Sequence, residues 1–133
     1  MINFKNTSNK TVDEETMVRI YNELQTPHKV GPVIKRDGYL VDSPTVFRHD
    51  DKWYMYYIRF IKTDASGYET VLAESDDLIN WTDVGCIFKR NDENHWDSRQ
   101  CAGYGAFPDI NFGGTNELEK TNDKYYMAYL GRN

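Results

Sequence analysis

One short stretch of the chain concentrates side chains that could bind a polar, ring-shaped ligand. Within residues 94–105 the candidates are Trp96, Asp97, Arg99, Gln100 and Tyr104. Aromatic faces stack on sugar rings, guanidinium and amide groups donate to hydroxyls, and the neighbouring glycines permit close approach. Because Trp96 could equally act as a wedge between packed sheets, the residue types favour a binding segment and leave a structural alternative open.

Three further carboxylates stand at positions where a strand or loop could present them. Asp42 precedes Ser43-Pro44, and Asp109 follows Pro108. Glu117 lies in a longer glycine-containing loop, residues 113–120. Each also has an ordinary interpretation: Asp-Ser-Pro is typical of turns, Asp109 could bind a loop amide at a strand edge, and loop carboxylates are commonly solvated.

The residue pattern does not indicate a metal site or a phosphate-binding loop. His28, His49 and His95 are scattered without metal-ligand spacing. Gly113-Gly114 lacks the Lys-Ser/Thr that a phosphate-binding loop needs. We therefore expect neither a metal nor a cofactor.

The composition argues against nucleic acids and membranes as partners. The chain has 133 residues, a net charge of −5 and a pI near 5.1, so no basic stripe predicts nucleic-acid binding. It contains no apolar run of about 18 residues that could span a membrane, and its first residues lack a secretion signal. Cys86 and Cys101 are predicted to be free thiols in a reducing compartment. These features predict a cytoplasmic protein.

A repeated strand indicates the architecture. Residues 52–57 read KWYMYY, and residues 124–129, which begin 72 positions later, read KYYMAY. An acidic residue precedes each copy, and a strand-like stretch containing Pro and Asp lies upstream of each. A hairpin that recurs at this spacing is typical of radial or solenoidal repeats.

The remaining pattern predicts an all-β protein preceded by a short helix. Thr11 and Glu14 fit a capping box, and apolar residues then recur at helical spacing, which predicts a helix over residues 12–25. Four strands, at 44–48, 53–61, 68–74 and 81–89, would form a first antiparallel blade over residues 43–90. Residues 91–105 are predicted to connect this blade to an incomplete second blade, residues 106–133.

The order of these motifs resembles a known group of enzymes. Residues 73–81 read AESDDLINW, similar to the blade ending A-x-S-x-D-L-x-x-W, and residues 106–110 read AFPDI, similar to the opening strand A-P-D-[VI]. With the Asp-Ser-Pro before the first inner strand, the pattern resembles five-bladed β-propeller glycosidases. These are glycoside hydrolase family 43 and its relatives in families 32, 117 and 130. The resemblance spans about residues 27–131 and implies the N-terminal portion of such a domain.

The resemblance implies cleavage of O-glycosidic bonds in an oligosaccharide by two carboxylates, which in inverting enzymes stand roughly 6.5–9.5 Å apart. Asp42 would be the general base, and Asp109 would orient the substrate and raise the pKa of the proton donor. The family usually carries its general-acid Glu on the third blade, so Glu117 is the candidate proton donor within this chain. Asp97 is the alternative second carboxylate, and the binding segment would contact the substrate.

Two other functions stay open at this stage. A glycoside phosphorylase of the same fold would need a basic cluster, for which Arg99 and Arg132 are candidates. A non-catalytic carbohydrate-binding module would need only the aromatic platforms. Because fewer than two blades leave strand edges bare, we also expect either further C-terminal blades or a homo-oligomer.

Overall fold

The computed structural model describes residues 12–63, 67–91, 94–109, 111 and 113–133. The chain divides into two compact units, Met1–Gly31 and Pro32–Asn133. Within the described residues the elements are one short helix and strands paired in antiparallel sheets, so the predicted all-β class is confirmed. This arrangement is consistent with part of a propeller, whereas the five-bladed form stays a prediction.

The helix of the first unit is slightly shorter than predicted. Helix α1 spans Glu14–Glu23, within the predicted residues 12–25. Asp13 is its N-cap, and its Oδ1 accepts a hydrogen bond of 2.7 Å from the Thr16 N–H, one of the donors that a helix start leaves unsatisfied. Thr11, the predicted capping residue, lies outside the described residues.

Four strands of the second unit form an antiparallel sheet in the order β1-β2-β3-β4. Their bounds are Tyr39–His49, Lys52–Ile61, Glu69–Ser75 and Thr82–Phe88. These overlap all four predicted strands, but β1 begins earlier than its sequence pattern suggested. A register shift between Asp42 and Thr45 accommodates Pro44, which has no N–H to donate, so that pairing continues on both sides of the proline.

The tight turn before each copy of the repeated sequence has the same backbone geometry. Asp50 and Asp51 join β1 to β2 with φ values of 48° and 65°. Asn122 and Asp123, 72 positions further on, have φ values of 52° and 58°. Positive φ at two successive residues is the backbone geometry of a two-residue hairpin turn, and Asn and Asp tolerate it better than most residues.

The two faces of the four-stranded sheet are buried differently. One face carries a cluster of Met55, Tyr57, Val71 and Ala73, against which Ile34, Val41 and Trp81 pack. The opposite face buries Ile58 and Thr70. Strand β2 therefore has buried side chains on both of its faces, as a strand packed between two layers does.

The second sheet is formed by β5, Gln100–Ala106, and β6, Met127–Arg132. The prediction that residues 91–105 only connect two blades is therefore wrong for residues 100–105. The strand was missed because its sequence, QCAGYGA, lacks the β-branched residues and polar alternation of an ordinary strand. Its pairing with a strand more than twenty residues away determines its conformation.

Buried hydrogen bonds join β5 to the four-stranded sheet. The Thr70 hydroxyl donates to the Cys101 carbonyl at 2.6 Å and accepts from the Gly103 N–H at 2.7 Å. A Cβ at Gly103 would come within 2.8 Å of the flexible end of Met127 and within 3.3 Å of the Thr70 methyl group, so the glycine keeps the contact with Thr70 close. The resulting contact fixes where β5 crosses the sheet.

Both cysteines are free thiols, as predicted: Cys86 is half-buried and Cys101 is buried. Across the described residues, no helix combines the length and apolarity needed to cross a membrane.

Candidate functional site

The candidate site lies at one end of the four-stranded sheet, which we call the front end. It is the end where β1 and β3 begin and where β2 and β4 finish. Strand β5 also begins there, because Tyr68, directly before β3, forms a parallel bridge with Gln100. The binding segment predicted from the sequence leads into β5 and therefore lies at this end.

Asp42 is an exposed carboxylate near the front end of β1, opposite Ile58. The Asp-Ser-Pro sequence forms a β-bulge there, in which Ser43 has a φ of 50° and donates its N–H to Asp42 Oδ1 at 2.6 Å. Non-glycine residues seldom have positive φ, and bulges commonly reorient side chains beside active sites. The bulge thus determines the direction in which Asp42 points.

Trp96 is an aromatic platform whose ring is supported by Gly131 and Tyr129. Its indole is 56% exposed. Beneath it, a Cβ added at Gly131 would overlap the six-membered ring, so the ring lies directly on the glycine backbone. Tyr129 meets Trp96 edge-on at a centroid distance of 5.6 Å and also packs against Phe88 at 5.2 Å. The arrangement leaves part of the indole free for a ligand to contact.

Asp97 holds this platform in place from below. The carboxylate is buried and accepts hydrogen bonds from the Tyr129 hydroxyl at 2.7 Å and the Asn91 amide at 2.8 Å, and it contacts His95 Nδ1 at 2.6 Å. The Tyr129 hydrogen bond, followed by those of Asn91 and His95, lowers the pKa of Asp97 to about 2. Asp97 is thus an ionised anchor, and its contact with a substrate stays a prediction that this geometry does not favour.

The other residues of the binding segment are accessible to different degrees. The Arg99 side chain is exposed, while its N–H donates to the Arg132 carbonyl at 2.8 Å and its carbonyl accepts from the Tyr68 N–H at 3.0 Å. Gln100 and Tyr104 are half-buried within β5. Arg99 is therefore the cation of this segment that a ligand on the front end could reach, held by a backbone that is fixed on both sides.

Asp109 organises a loop beyond the far end of β5. Its Oδ1 accepts from the Asn111 N–H at 3.1 Å and from the Asn111 amide at 2.6 Å, and its Oδ2 accepts from the Thr115 N–H at 3.2 Å. These hydrogen bonds, led by that from the Asn111 backbone, hold the pKa of Asp109 below its usual value. The geometry is that of a carboxylate closing a turn, which was the structural alternative.

Glu117 belongs to the same loop and docks at the turn between β1 and β2. Its backbone forms a parallel bridge with Arg48, and its Oε1 accepts from the Asp50 N–H at 3.3 Å. His49 Nδ1 lies 3.7 Å from the same oxygen. The loop thereby covers the free edge of β1 at the end opposite to the front.

The three candidate carboxylates consequently do not converge. Arg48 is six residues beyond Asp42, which along a strand is up to about 20 Å. Glu117 neighbours Arg48, and the Asp109 N–H donates to the Glu117 carbonyl at 2.8 Å. Asp109 and Glu117 thus lie near the opposite end of β1 from Asp42, whereas a two-carboxylate mechanism requires a separation of roughly 6.5–9.5 Å. Their catalytic roles stay predictions that this arrangement does not favour.

The structure also reveals a cavity that the sequence did not indicate. A cavity of about 240 Å³ at the front end is lined in part by Tyr39, Arg59, Gly67, Glu69 and Arg90. These residues come from the start of β1, the end of β2, the loop before β3 and the stretch after β4. No local motif connects positions so far apart in sequence, so only the fold could bring them together.

A second polar cluster has a structural explanation. Arg36 binds Asp83 through two nitrogens, at 2.8 and 2.7 Å, and the Tyr57 hydroxyl donates to Asp83 at 2.9 Å. Burial, followed by the hydrogen bond to Asp83, raises the pKa of Tyr57 to about 12. The cluster ties the segment before β1 to β2 and β4 and completes the cover over the core.

Comparison with known proteins relates the fold to an enzyme class. No family profile and no curated protein matches the chain. Solved structures do match, among them one described as a complex of BT0996 and RGII with a TM-score of 0.76 and one described as "Glycoside hydrolase" with a TM-score of 0.75. Each is 36% identical and covers 92% of this chain.

The chain spans 36% of the length of each of these neighbours. It therefore shares part of the fold of a glycoside hydrolase. Membership of family 43, or of one of its relatives, stays a prediction.

Proposed function

We propose that this chain forms part of a glycoside hydrolase domain that binds an oligosaccharide at the front end and cleaves an O-glycosidic bond. The observation that carries the proposal is the 36% identity over 92% of the chain to a structure described as a glycoside hydrolase. The supported, exposed indole of Trp96 and the exposed Arg99 supply the stacking face and hydrogen-bond donors that a sugar needs.

Asp42 is the carboxylate that we propose for the chemistry, as a general base. It is exposed at the front end, and the bulge at Ser43 sets its direction. The proton donor must stand within about 10 Å of it. Asp109 and Glu117 are near the opposite end of β1, so we expect the proton donor to lie outside the described residues. The inverting mechanism is part of this proposal.

A carbohydrate-binding module without turnover is the second candidate, and one observation favours it. Among the described residues, the carboxylates with a shifted pKa are Asp13, Asp77, Asp83, Asp97 and Asp109, and every shift is downward. A general acid that works at neutral pH needs a raised pKa. The lowered pKa values of these five groups do not fit the role of proton donor.

Calorimetric titration and product analysis with one ligand separate the candidates. The description of one neighbour nominates RGII as the first ligand to test. We expect Trp96→Ala to weaken binding about tenfold or more, because it removes the stacking face, and Asp42→Asn to retain binding while abolishing product formation. Ile79→Ala, at an exposed apolar residue in the turn between β3 and β4, is the matched control for Trp96→Ala.

The outcomes distinguish the alternatives clearly. In a protein that also contains the proton donor, binding without any product would replace the hydrolase with the binding module. Unchanged binding by Trp96→Ala would remove the front-end site from either function.

A further inference from the structure

One histidine of the binding segment is exposed and yet held in a fixed orientation. The His95 side chain is 57% exposed, and its Nδ1 lies 2.6 Å from Asp97 Oδ1. The Ser98 N–H donates to the His95 carbonyl at 3.1 Å, which closes a turn around the same residues. The imidazole is therefore anchored to the protein at one nitrogen, while more than half of its surface is open to a ligand.

The partner of Nδ1 determines which ring nitrogen carries the proton. Asp97 is buried, and hydrogen bonds from Tyr129, Asn91 and His95 keep its carboxylate ionised. An ionised carboxylate can only accept hydrogen bonds, so Nδ1 is the donor. In the neutral imidazole the other nitrogen, Nε2, then carries a lone pair and acts as an acceptor. Asp97 is the one hydrogen-bond partner of the ring among the described residues, so Nε2 keeps this capacity.

His95 and Trp96 place their exposed rings on one patch of surface. They are consecutive residues, and consecutive Cα atoms stand about 3.8 Å apart. Tyr129 supports both rings, because it meets the indole edge-on at 5.6 Å and its hydroxyl donates at 2.7 Å to the Asp97 carboxylate that holds the imidazole. The patch combines an apolar ring face with a placed polar group, the combination that a small hydroxylated ligand requires.

We propose that His95 contacts the ligand directly, with Nε2 accepting a hydrogen bond from a hydroxyl group of a sugar stacked on Trp96. Asp97 is then a positioning residue, because it orients the imidazole without touching the ligand. The acceptor on His95 complements Arg99, whose guanidinium can only donate. This contact rests on the proposed binding of an oligosaccharide at the front end, and it adds the requirement for a hydroxyl group beside the stacked face of the sugar.

Two substitutions separate the contact with the ligand from the contact with Asp97. The side-chain amide nitrogen of asparagine is bonded to Cγ, as Nδ1 is in histidine, whereas that of glutamine stands one bond further out, as Nε2 does. His95→Asn therefore keeps a donor for Asp97 and removes the ligand contact, and His95→Gln does the opposite. In calorimetric titration with RGII, we expect His95→Asn to weaken binding about three- to tenfold, the usual effect of losing one hydrogen bond. His95→Gln should retain most of the wild-type affinity.

Urea unfolding and a matched control distinguish this contact from an effect on folding. His95→Asn should keep the stability of the wild type, whereas His95→Gln should lose stability because Asp97 loses one of its donors. His28→Asn makes the same change at an exposed position of the first unit and should leave RGII affinity unchanged. If neither His95 variant folds, ¹⁵N NMR of the wild-type imidazole replaces them. We expect the Nδ1–H tautomer in the neutral ring and a shift of the Nε2 resonance when RGII is added.

The results separate this proposal from the proposed function. Wild-type affinity in His95→Asn would overturn the contact, as would an Nε2 resonance that bound RGII leaves unchanged. A loss of affinity in His95→Gln alone would assign His95 to the support of Asp97 and overturn it as well. These outcomes leave the front-end site intact, because the wild type still binds RGII in each of them. Absence of RGII binding by the wild type would instead contradict the front-end site itself, and the His95 contact with it.

Discussion

At the scale of single residues, Gly131 determines whether Trp96 can face a ligand. The indole lies on the glycine backbone, and Tyr129 supports its edge. A side chain at position 131 would occupy the space of the ring. The glycine is needed here for close approach, because a Cβ at this point meets the indole directly.

We predict that Gly131→Ala displaces the Trp96 ring and costs about 1–3 kcal/mol of stability, the usual cost of overpacking. Urea unfolding and tryptophan fluorescence measure the two effects, and oligosaccharide affinity should fall with them. Gly85→Ala is the matched control, because a Cβ there meets nothing within 4 Å. A native fluorescence spectrum for Gly131→Ala would contradict the described support.

The stability that Asp97 contributes depends on pH. Its pKa of about 2 is below the unfolded value of about 3.9. A group whose pKa is lower in the folded state contributes stability above its unfolded pKa and loses it as the pH falls towards the folded value. The contribution of Asp97 should therefore be complete at about pH 5 and decline between about pH 4 and pH 2.

We predict that the difference in unfolding free energy between wild type and Asp97→Asn is larger at about pH 5 than at about pH 2.5. Urea unfolding at the two pH values measures it. Tyr129→Phe should reduce the same pH dependence, because the Tyr129 hydroxyl makes the strongest contribution to the lowered pKa. A difference that stays constant across this range would show that these hydrogen bonds do not stabilise the carboxylate.

At the scale of elements, Thr70 is the junction between the two sheets. Its hydroxyl serves as both donor and acceptor for β5, and the residue is fully buried. Without it, the Gly103 N–H and the Cys101 carbonyl would lose these partners in a buried position. Each unsatisfied group costs about 1–3 kcal/mol.

We predict that Thr70→Val, although nearly the same size, destabilises the protein by at least this amount for one group. Thr70→Ser, which keeps both hydrogen bonds, should recover most of the loss. Chemical denaturation of the two variants beside Thr82→Val, at an exposed position of β4, provides the comparison. Equal stability of Thr70→Val and wild type would mean that water replaces the hydroxyl.

At the scale of the whole molecule, the second sheet leaves apolar groups uncovered. Phe107 and Tyr126 are 56% and 48% exposed and line a cavity of about 310 Å³, and Leu130 of β6 is 47% exposed. Among the described strands, β6 pairs only with β5. An edge strand with apolar neighbours is a ready surface for another strand.

We predict that the chain self-associates in a concentration-dependent manner, which sedimentation velocity would detect. Leu130→Lys should weaken the association, because charge on an edge opposes strand addition. Ile79→Lys, which adds the same charge to an exposed turn, should not. A monomer at every concentration would contradict the prediction.

The sequence alone determined what depends on neighbouring residues. The sequence pattern predicted β2 and β3 to within one residue at each end. The sequence repeat, whose copies begin 72 residues apart, identified the repeated hairpin turn. These features are local, because period-two alternation and turn residues act within a few positions of the chain.

Only the tertiary structure decided which residues share a surface. The second incoming strand is 100–106, so Asp109 follows that strand and lies away from Asp42. Arg59 and Arg90 line one cavity although they are separated in sequence by two strands. Strand pairing and the contacts between sheets are set by partners far along the chain, and no local pattern records which partner a strand will meet.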